Sequence, residues 1–248
     1  MRIIISPAKK MNVDTDTLAP EGMPVFMEQT GQLLKWMRDL SYEEAKALWK
    51  CNDKIADQNY RRFQEMDLTK NLTPAVIAYE GIQYQYMAPA VFGGKEAEYV
   101  QEHLRILSGF YGVLKPFDGV VPYRLEMQAK ASDAGDLYRF WEDRIYREVT
   151  DKDHFILNLA SKEYSRCVEK YLQPEDVFLT CVFGELADGR VKQKGTFAKM
   201  ARGEMVRFLA ERQAEDPEQI KEFDRLDYHY SEEYSDEKEL VFLRKPQK

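Results

Sequence analysis

The sequence predicts an α+β fold, a single mixed α/β domain over residues 1–248, and three observations carry that prediction. Apolar patterning switches repeatedly between a period of two and a period near 3.6, which interleaves strands with helices. No internal repeat, low-complexity linker or proline-rich spacer divides the chain. A chain of 248 residues, 44% of them hydrophobic, is long enough to bury one substantial core.

Residues 2–6 (RIIIS) form a first branched, apolar strand ahead of Pro7. Ser41 with Glu44 makes a capping-box pattern in front of Ala45, Leu48 and Trp49, and so predicts a helix start. The run 75–79 (AVIAY) reads as a strand. From Lys95 a helix carries Ala97, Val100, Leu104 and Leu107 on one face, and Gly109 and Gly112 end it. Residues 155–159 and 177–183 read as strands, and Asp188-Gly189 as the turn of a hairpin between Leu186 and Arg190. A helix over 196–212 buries Phe197, Ala201, Met205 and Phe208, with Lys199 and Arg202 together on another face. Residues 239–243 supply a last strand.

No stretch approaches the roughly 18 apolar residues of a membrane span, and the N-terminus lacks the pattern of a signal peptide, so a cytoplasmic protein without membrane contact is expected. Cys51, Cys167 and Cys181 are odd in number and far apart, and His103, His154 and His229 share no ligand spacing with them. Neither a disulfide framework, a metal site nor a cofactor is expected. The net charge of −7 is regional: residues 211–239 hold 12 acids against 4 bases, which reads as a solvated surface. The remainder is close to neutral, and local basic patches are compatible with it.

Several segments carry polar residues suited to anions. Ser6-Pro7-Ala8-Lys9-Lys10 leaves the first strand, and a hydroxyl and an ammonium there can hold a phosphate or a carboxylate. Asn52-Asp53-Lys54 with Asn59 and Arg62 offers a second basic group, or ordinary surface charge. Ser108-Gly109-Phe110-Tyr111-Gly112 is similar to the turn of a helix-hairpin-helix, in which glycines let backbone N–H groups approach phosphates; a helix C-cap wants the same glycines. In Pro122-Tyr123-Arg124-Leu125-Glu126-Met127, alternation puts Arg124 and Glu126 on one side for an ion pair or a site, and turns Tyr123 away unless the backbone bends. Asn158 and Ser161 mark another strand-to-loop exit, where Ser161 suits a helix cap. Gly203 beside Lys199 and Arg202 permits close approach of a helix or a ligand. No GxSxG, Walker loop, HExxH or dinucleotide fingerprint is present, so residues alone stop at a ligand-binding protein.

The segments ISPAKK, NDKIADQNYRRF, HLRILSGFYGVLKPFDGVVPYRLEM, LYRFW, NLASKEY and FAKMARG occur in the order of the YaaA family, which the chain resembles almost from end to end. The resemblance implies a family-specific mixed α/β fold and a cytoplasmic role in limiting oxidative damage and intracellular iron under peroxide. It also implies DNA binding through a basic cleft and a helix-hairpin-helix, placed either in the helices around 41–63 or in the Ser108–Gly112 turn. Glu80 stands where the family often carries a basic residue before the glycine.

DNA bound without sequence specificity is therefore the leading expectation, with Lys9, Lys54, Arg62, Arg124, Lys199 and Arg202 at phosphates and Ser6, Asn59, Ser108, Gly109, Gly112, Tyr123, Glu126, Asn158 and Ser161 completing the site. An enzyme acting on a nucleotide, a damaged base or another small anionic ligand is the alternative, with a lysine attacking an aldehyde as one version. Direct iron sequestration is a third reading. The sequence does not give the oligomeric state.

Overall fold

The computed structural model describes residues 1–131, 135–150 and 154–245. Its main sheet has eight strands among the described residues: β1 (Arg2–Ile5), β2 (Leu104–Ser108), β3 (Gly112–Leu114), β4 (Phe155–Leu159), β5 (Val177–Ala187), β6 (Arg190–Lys192), β7 (His229–Tyr230) and β8 (Glu239–Arg244). The order across the sheet is β7-β8-β5-β4-β1-β2-β3, with β6 paired to β5. Strands β8, β5, β4, β1 and β2 are mutually parallel, and β3, β6 and β7 are antiparallel additions. Every residue of β1 and β2 is buried, as expected of central parallel strands covered on both faces. Strands from Arg2 to Arg244 share this sheet, so the chain forms a single α/β domain.

The helices used below are α1 (Met27–Asp39), α2 (Tyr42–Trp49), α3 (Asp53–Glu65), α4 (Ile82–Met87), α5 (Gly94–His103), α6 (Lys162–Glu169) and α7 (Gly195–Arg212). Ser41 and Glu44 make the expected capping box at the start of α2. Asp188 and Gly189 both take positive φ, 56° and 70°, and close the hairpin between β5 and β6. Helix α7 packs against α4 and α5, with Ala201, Met205 and Phe208 buried as expected and Phe197 half-buried. No helix among the described residues is long and apolar enough to cross a membrane.

Two expectations are corrected. Residues 75–79 are not a strand: Ala75–Ala78 is one helical turn behind Pro74, and Tyr79–Glu80 pairs with Lys10–Met11. Four apolar residues fit either conformation, and periodicity does not separate them. The helix expected from Lys95 to Leu107 ends at His103, and Leu104–Ser108 pairs with β1 and β3. The amphipathic spacing was real, but a buried place beside β1 outweighs local helical propensity for LRILS.

This second correction removes one placement of the helix-hairpin-helix, because Ser108–Gly112 is the turn of a β-hairpin. At 41–63, helices α2 and α3 do form a pair joined through Lys50, Cys51 and Asn52. That link has no glycine, and the Asn52 side chain already accepts the N–H of Ile55 at the start of α3. A DNA-binding helix-hairpin-helix is thus not established at either place.

Candidate functional site

The connections make β1 a point of divergence. The chain leaves β1 for β2 on one side, and β4 later enters on the other, so the loops after β1 and β4 splay apart beyond the carboxyl ends of neighbouring parallel strands. Open α/β sheets commonly hold ligands in such a crevice. Here the loops are stitched at their roots. Ser6 Oγ accepts the Ser161 N–H at 2.8 Å and lies 3.1 Å from Ser161 Oγ, while the Tyr84 hydroxyl donates to the Ser6 carbonyl at 3.0 Å. Ser161 occupies the N-cap position of α6 but makes no side-chain cap bond, its hydroxyl meeting Ser6 instead.

Above this root lies a cleft of about 460 Å³. It is lined by five cations, Lys9, Lys10, Arg124, Lys199 and Arg202, and three carboxylates, Glu80, Glu126 and Glu163, with Gln83 and Tyr123 in its walls. Lys9 Nζ and Arg124 Nη2 each approach Glu126 Oε1 at 3.2 Å, as ion pairs whose angles fall short of hydrogen bonds. Lys10 pairs with Glu80, which also takes the Asn12 amide, so Glu80 neutralises one cation at the lip. Burial raises the Glu163 carboxyl above its usual range, and the nearby Glu126 charge adds to the effect.

Lys199 and Arg202 form no ion pair or hydrogen bond among the described residues. The Arg202 Nε is wholly shielded from solvent, and so are the Arg124 Nε and the Gln83 Nε2, none with an acceptor among those residues. Burial pulls the Arg202 guanidinium below its ordinary range, with no carboxylate to offset it. Native proteins rarely leave a buried donor unpaired, and a buried unpaired charge is costlier still. Gly203 sets this wall: a Cβ there would stand 2.1 Å from the Gln83 carbonyl oxygen, so only glycine lets α7 lie directly against α4.

Tyr123 forms the floor. Residues 121–126 follow no regular strand, so the strict alternation expected there does not apply. The Tyr123 hydroxyl lies 2.8 Å from that of Tyr79 and 2.7 Å from Ser108 Oγ. Burial pushes the Tyr123 phenol up to about 12 and raises those of Tyr79 and Tyr84. All three are therefore neutral hydrogen-bonding groups near pH 7.

Of the residues expected at a site, the fold brings Ser6, Lys9, Tyr123, Arg124, Glu126, Ser161, Lys199 and Arg202 together around this one cleft. The rest lie elsewhere. Ser108 is beneath the floor, and its Oγ accepts the N–H groups of Phe110 and Tyr111 at 3.2 and 2.9 Å. Gly109 packs on the Leu125–Met127 backbone, and Gly112, at φ 75°, on Trp141 and Phe26. Asn158 bridges Thr180 Oγ1 and the Ala160 N–H, which holds the exit of β4. On α3, Asn59 is buried and bonds to the Ile55 carbonyl, Arg62 lines a separate hollow with Glu65 and Lys70, and Lys54 is exposed outside the cleft. Gln83 was missed, since a glutamine in a short apolar helix carries no pattern; Lys10 and Glu163 stood in the quoted segments without being singled out.

The family model described as "Peroxide stress protein YaaA" matches residues 1–234. The chain is 59% identical over 247 residues to a UPF0246 protein of Agathobacter rectalis, covering 99% of each. It is 57% identical to one of Desulfitobacterium hafniense, covering 98% of each, and 51% identical to one of Lactiplantibacillus plantarum, covering 98% of this chain and 99% of the relative.

Proposed function

The chain belongs to the YaaA (UPF0246) family of peroxide stress proteins, and from that premise we propose that it serves this response in the cytoplasm by binding a small phosphate- or carboxylate-bearing ligand in the cleft. One observation carries the reading: the Arg202 Nε, shielded from solvent and without an acceptor among the described residues, lies beside Gln83 and Arg124 with shielded donors equally unmet. An anion entering the cleft supplies the missing acceptor. The cleft's volume lies within the range of small-molecule sites, and a duplex is too wide to enter it.

Direct reaction of buried thiols with peroxide is a poor competitor. Burial pushes Cys167 up to about 12 and raises Cys181 further, and the thiol form is a weak nucleophile. Direct iron sequestration finds no support in the donor geometry, since no group of three or more His, Cys, Asp or Glu among the described residues could hold a metal ion. In the proposed reading any effect on iron follows from ligand binding.

Titration calorimetry with inorganic phosphate tests the proposal. The protein should bind phosphate, and Arg202→Met should abolish the heat; equal binding by both proteins defeats it. A second reading, DNA contact without sequence specificity, is favoured by Lys9 and Lys10, whose side chains are 65% and 77% exposed at the mouth, with Lys199 nearby. Its anisotropy signature is a log affinity that falls with log salt by about 0.7 per phosphate on single strands and 0.9 on duplex. Absence of binding at low salt removes it.

A further inference from the structure

The wall formed by Lys9 and Glu126 has a second side. A neighbouring pocket of about 430 Å³ shares these two residues with the cleft and is otherwise lined by Trp36, Leu40, Ala47, Leu48 and Trp49, with Glu44, Lys50, Gln128 and Lys130 among its polar groups. Trp49 is held rigidly there: its indole N–H donates to the Arg124 carbonyl at 2.6 Å, and its ring stacks on Phe63. The same Arg124 thus presents its guanidinium to the cleft and its carbonyl to the tryptophan of the next pocket. The Lys9–Glu126 ion pair lines both pockets, and the Lys9 side chain is largely exposed.

From this juxtaposition we infer that the two pockets form one bipartite site for a nucleoside monophosphate group, its phosphate among Arg202, Lys199 and Gln83 and its base against the half-buried Trp36. The inference rests on the anion-binding reading above and adds the class of ligand. An inorganic anion fills the first pocket and leaves the aromatic one idle. A simple aromatic group has no use for the unmet guanidinium donor. A nucleotide carries both a charge of the right sign and a flat π-face, and successful nucleobase sites pair cationic grooves with aromatic stacking. Gln128, Glu44 and Lys50 offer donors and acceptors to the base edge. The group has two sources, a free nucleotide or one nucleotide of a single strand, and both present the same chemistry.

The test uses the full chain with AMP, ribose 5-phosphate and inorganic phosphate, followed by calorimetry and by tryptophan fluorescence. AMP should bind about tenfold or more tighter than ribose 5-phosphate and quench the indole emission. Trp36→Leu, which keeps an apolar side chain at a half-buried position, should bring the ratio of the two affinities close to one, and Arg202→Met should weaken both ligands. Equal affinities in the unaltered protein, or a ratio unmoved by Trp36→Leu, overturn the inference while phosphate binding leaves the anion reading standing. If none of the three binds, both fall. Displacement of AMP by oligo(dA) supports the inference and assigns the source to a strand; AMP binding without such displacement supports it and assigns the source to free nucleotide.

Discussion

Two polar turns at strand ends, the Ser108–Gly112 hairpin and the Ser6/Ser161 exit, look alike in sequence and behave oppositely in the fold. In the hairpin every polar group turns inward: Ser108 Oγ gathers the amides of Phe110 and Tyr111 and bonds to Tyr123, and the Trp141 indole donates to the Gly109 carbonyl at 3.0 Å. All of 104–114 is buried, so none of these amides is offered to a phosphate. At the exit, the two serines satisfy each other and leave Gln83, Arg124 and Arg202 above them with donors unmet. What separates a scaffold from a binding surface here is the accounting of donors, which composition does not reveal.

The largest effect expected of this contrast is in the hairpin. A Cβ on Gly109 would stand 2.5 Å from the Leu125 carbonyl oxygen and 3.0 Å from the Glu126 carbonyl carbon, both backbone atoms that cannot rotate away. Gly109→Ala should therefore destabilise the protein by about 3 kcal/mol, an overpacking cost at the upper end of the usual range. Because the displaced backbone carries Glu126, ligand affinity should fall as well. Urea denaturation with a parallel phosphate titration reads both; wild-type stability would show that the hairpin yields more easily than its contacts imply.

Arg202→Met should show the opposite sign. It removes a half-buried guanidinium whose shielded Nε has no acceptor among the described residues, and puts an apolar side chain of similar length between α4 and α7. Replacing unpaired buried charge by apolar groups is often neutral or stabilising, so the ligand-free protein should gain about 1 kcal/mol while losing phosphate binding. Stability bought against function is the mark of a residue kept for its ligand. A loss of 2 kcal/mol or more in denaturation would instead make Arg202 a structural residue and weaken the whole contrast.

Much of this fold is written locally. Ser41 with Glu44, Asp188-Gly189 and the Ala201, Met205 and Phe208 stripe of α7 are decided by near neighbours in sequence, and each reads correctly. Residues 104–108 and 75–79 are not, because their conformation depends on which strand lies beside them. The site divides along the same line. Lys9, Arg124, Glu126, Lys199 and Arg202 stand in segments whose polarity is odd beside a buried strand or a glycine, and that oddity is visible. That Lys54 and Arg62 lie outside the cleft depends on the packing of α3, with Ala56, Asn59 and Phe63 turned to the core. Gln83 becomes legible only once Gly203 has brought α7 against it.

The smallest effect is expected at Lys54, and its smallness is informative. Its side chain is exposed on the first turn of α3, and the adjacent Asp53 pairs with Lys46 instead. With no partner among the described residues and no place in the cleft wall, Lys54→Ala should change stability by no more than about 0.5 kcal/mol and leave phosphate affinity unchanged. Lys199→Ala, the same loss of one ammonium, should weaken phosphate by about an order of magnitude, because its charge lies at the cleft beside Arg202. The two variants alter net charge equally. Equal weakening in calorimetry would therefore mean that the ligand senses the protein's overall field, and the contrast between a local site and general basicity would collapse.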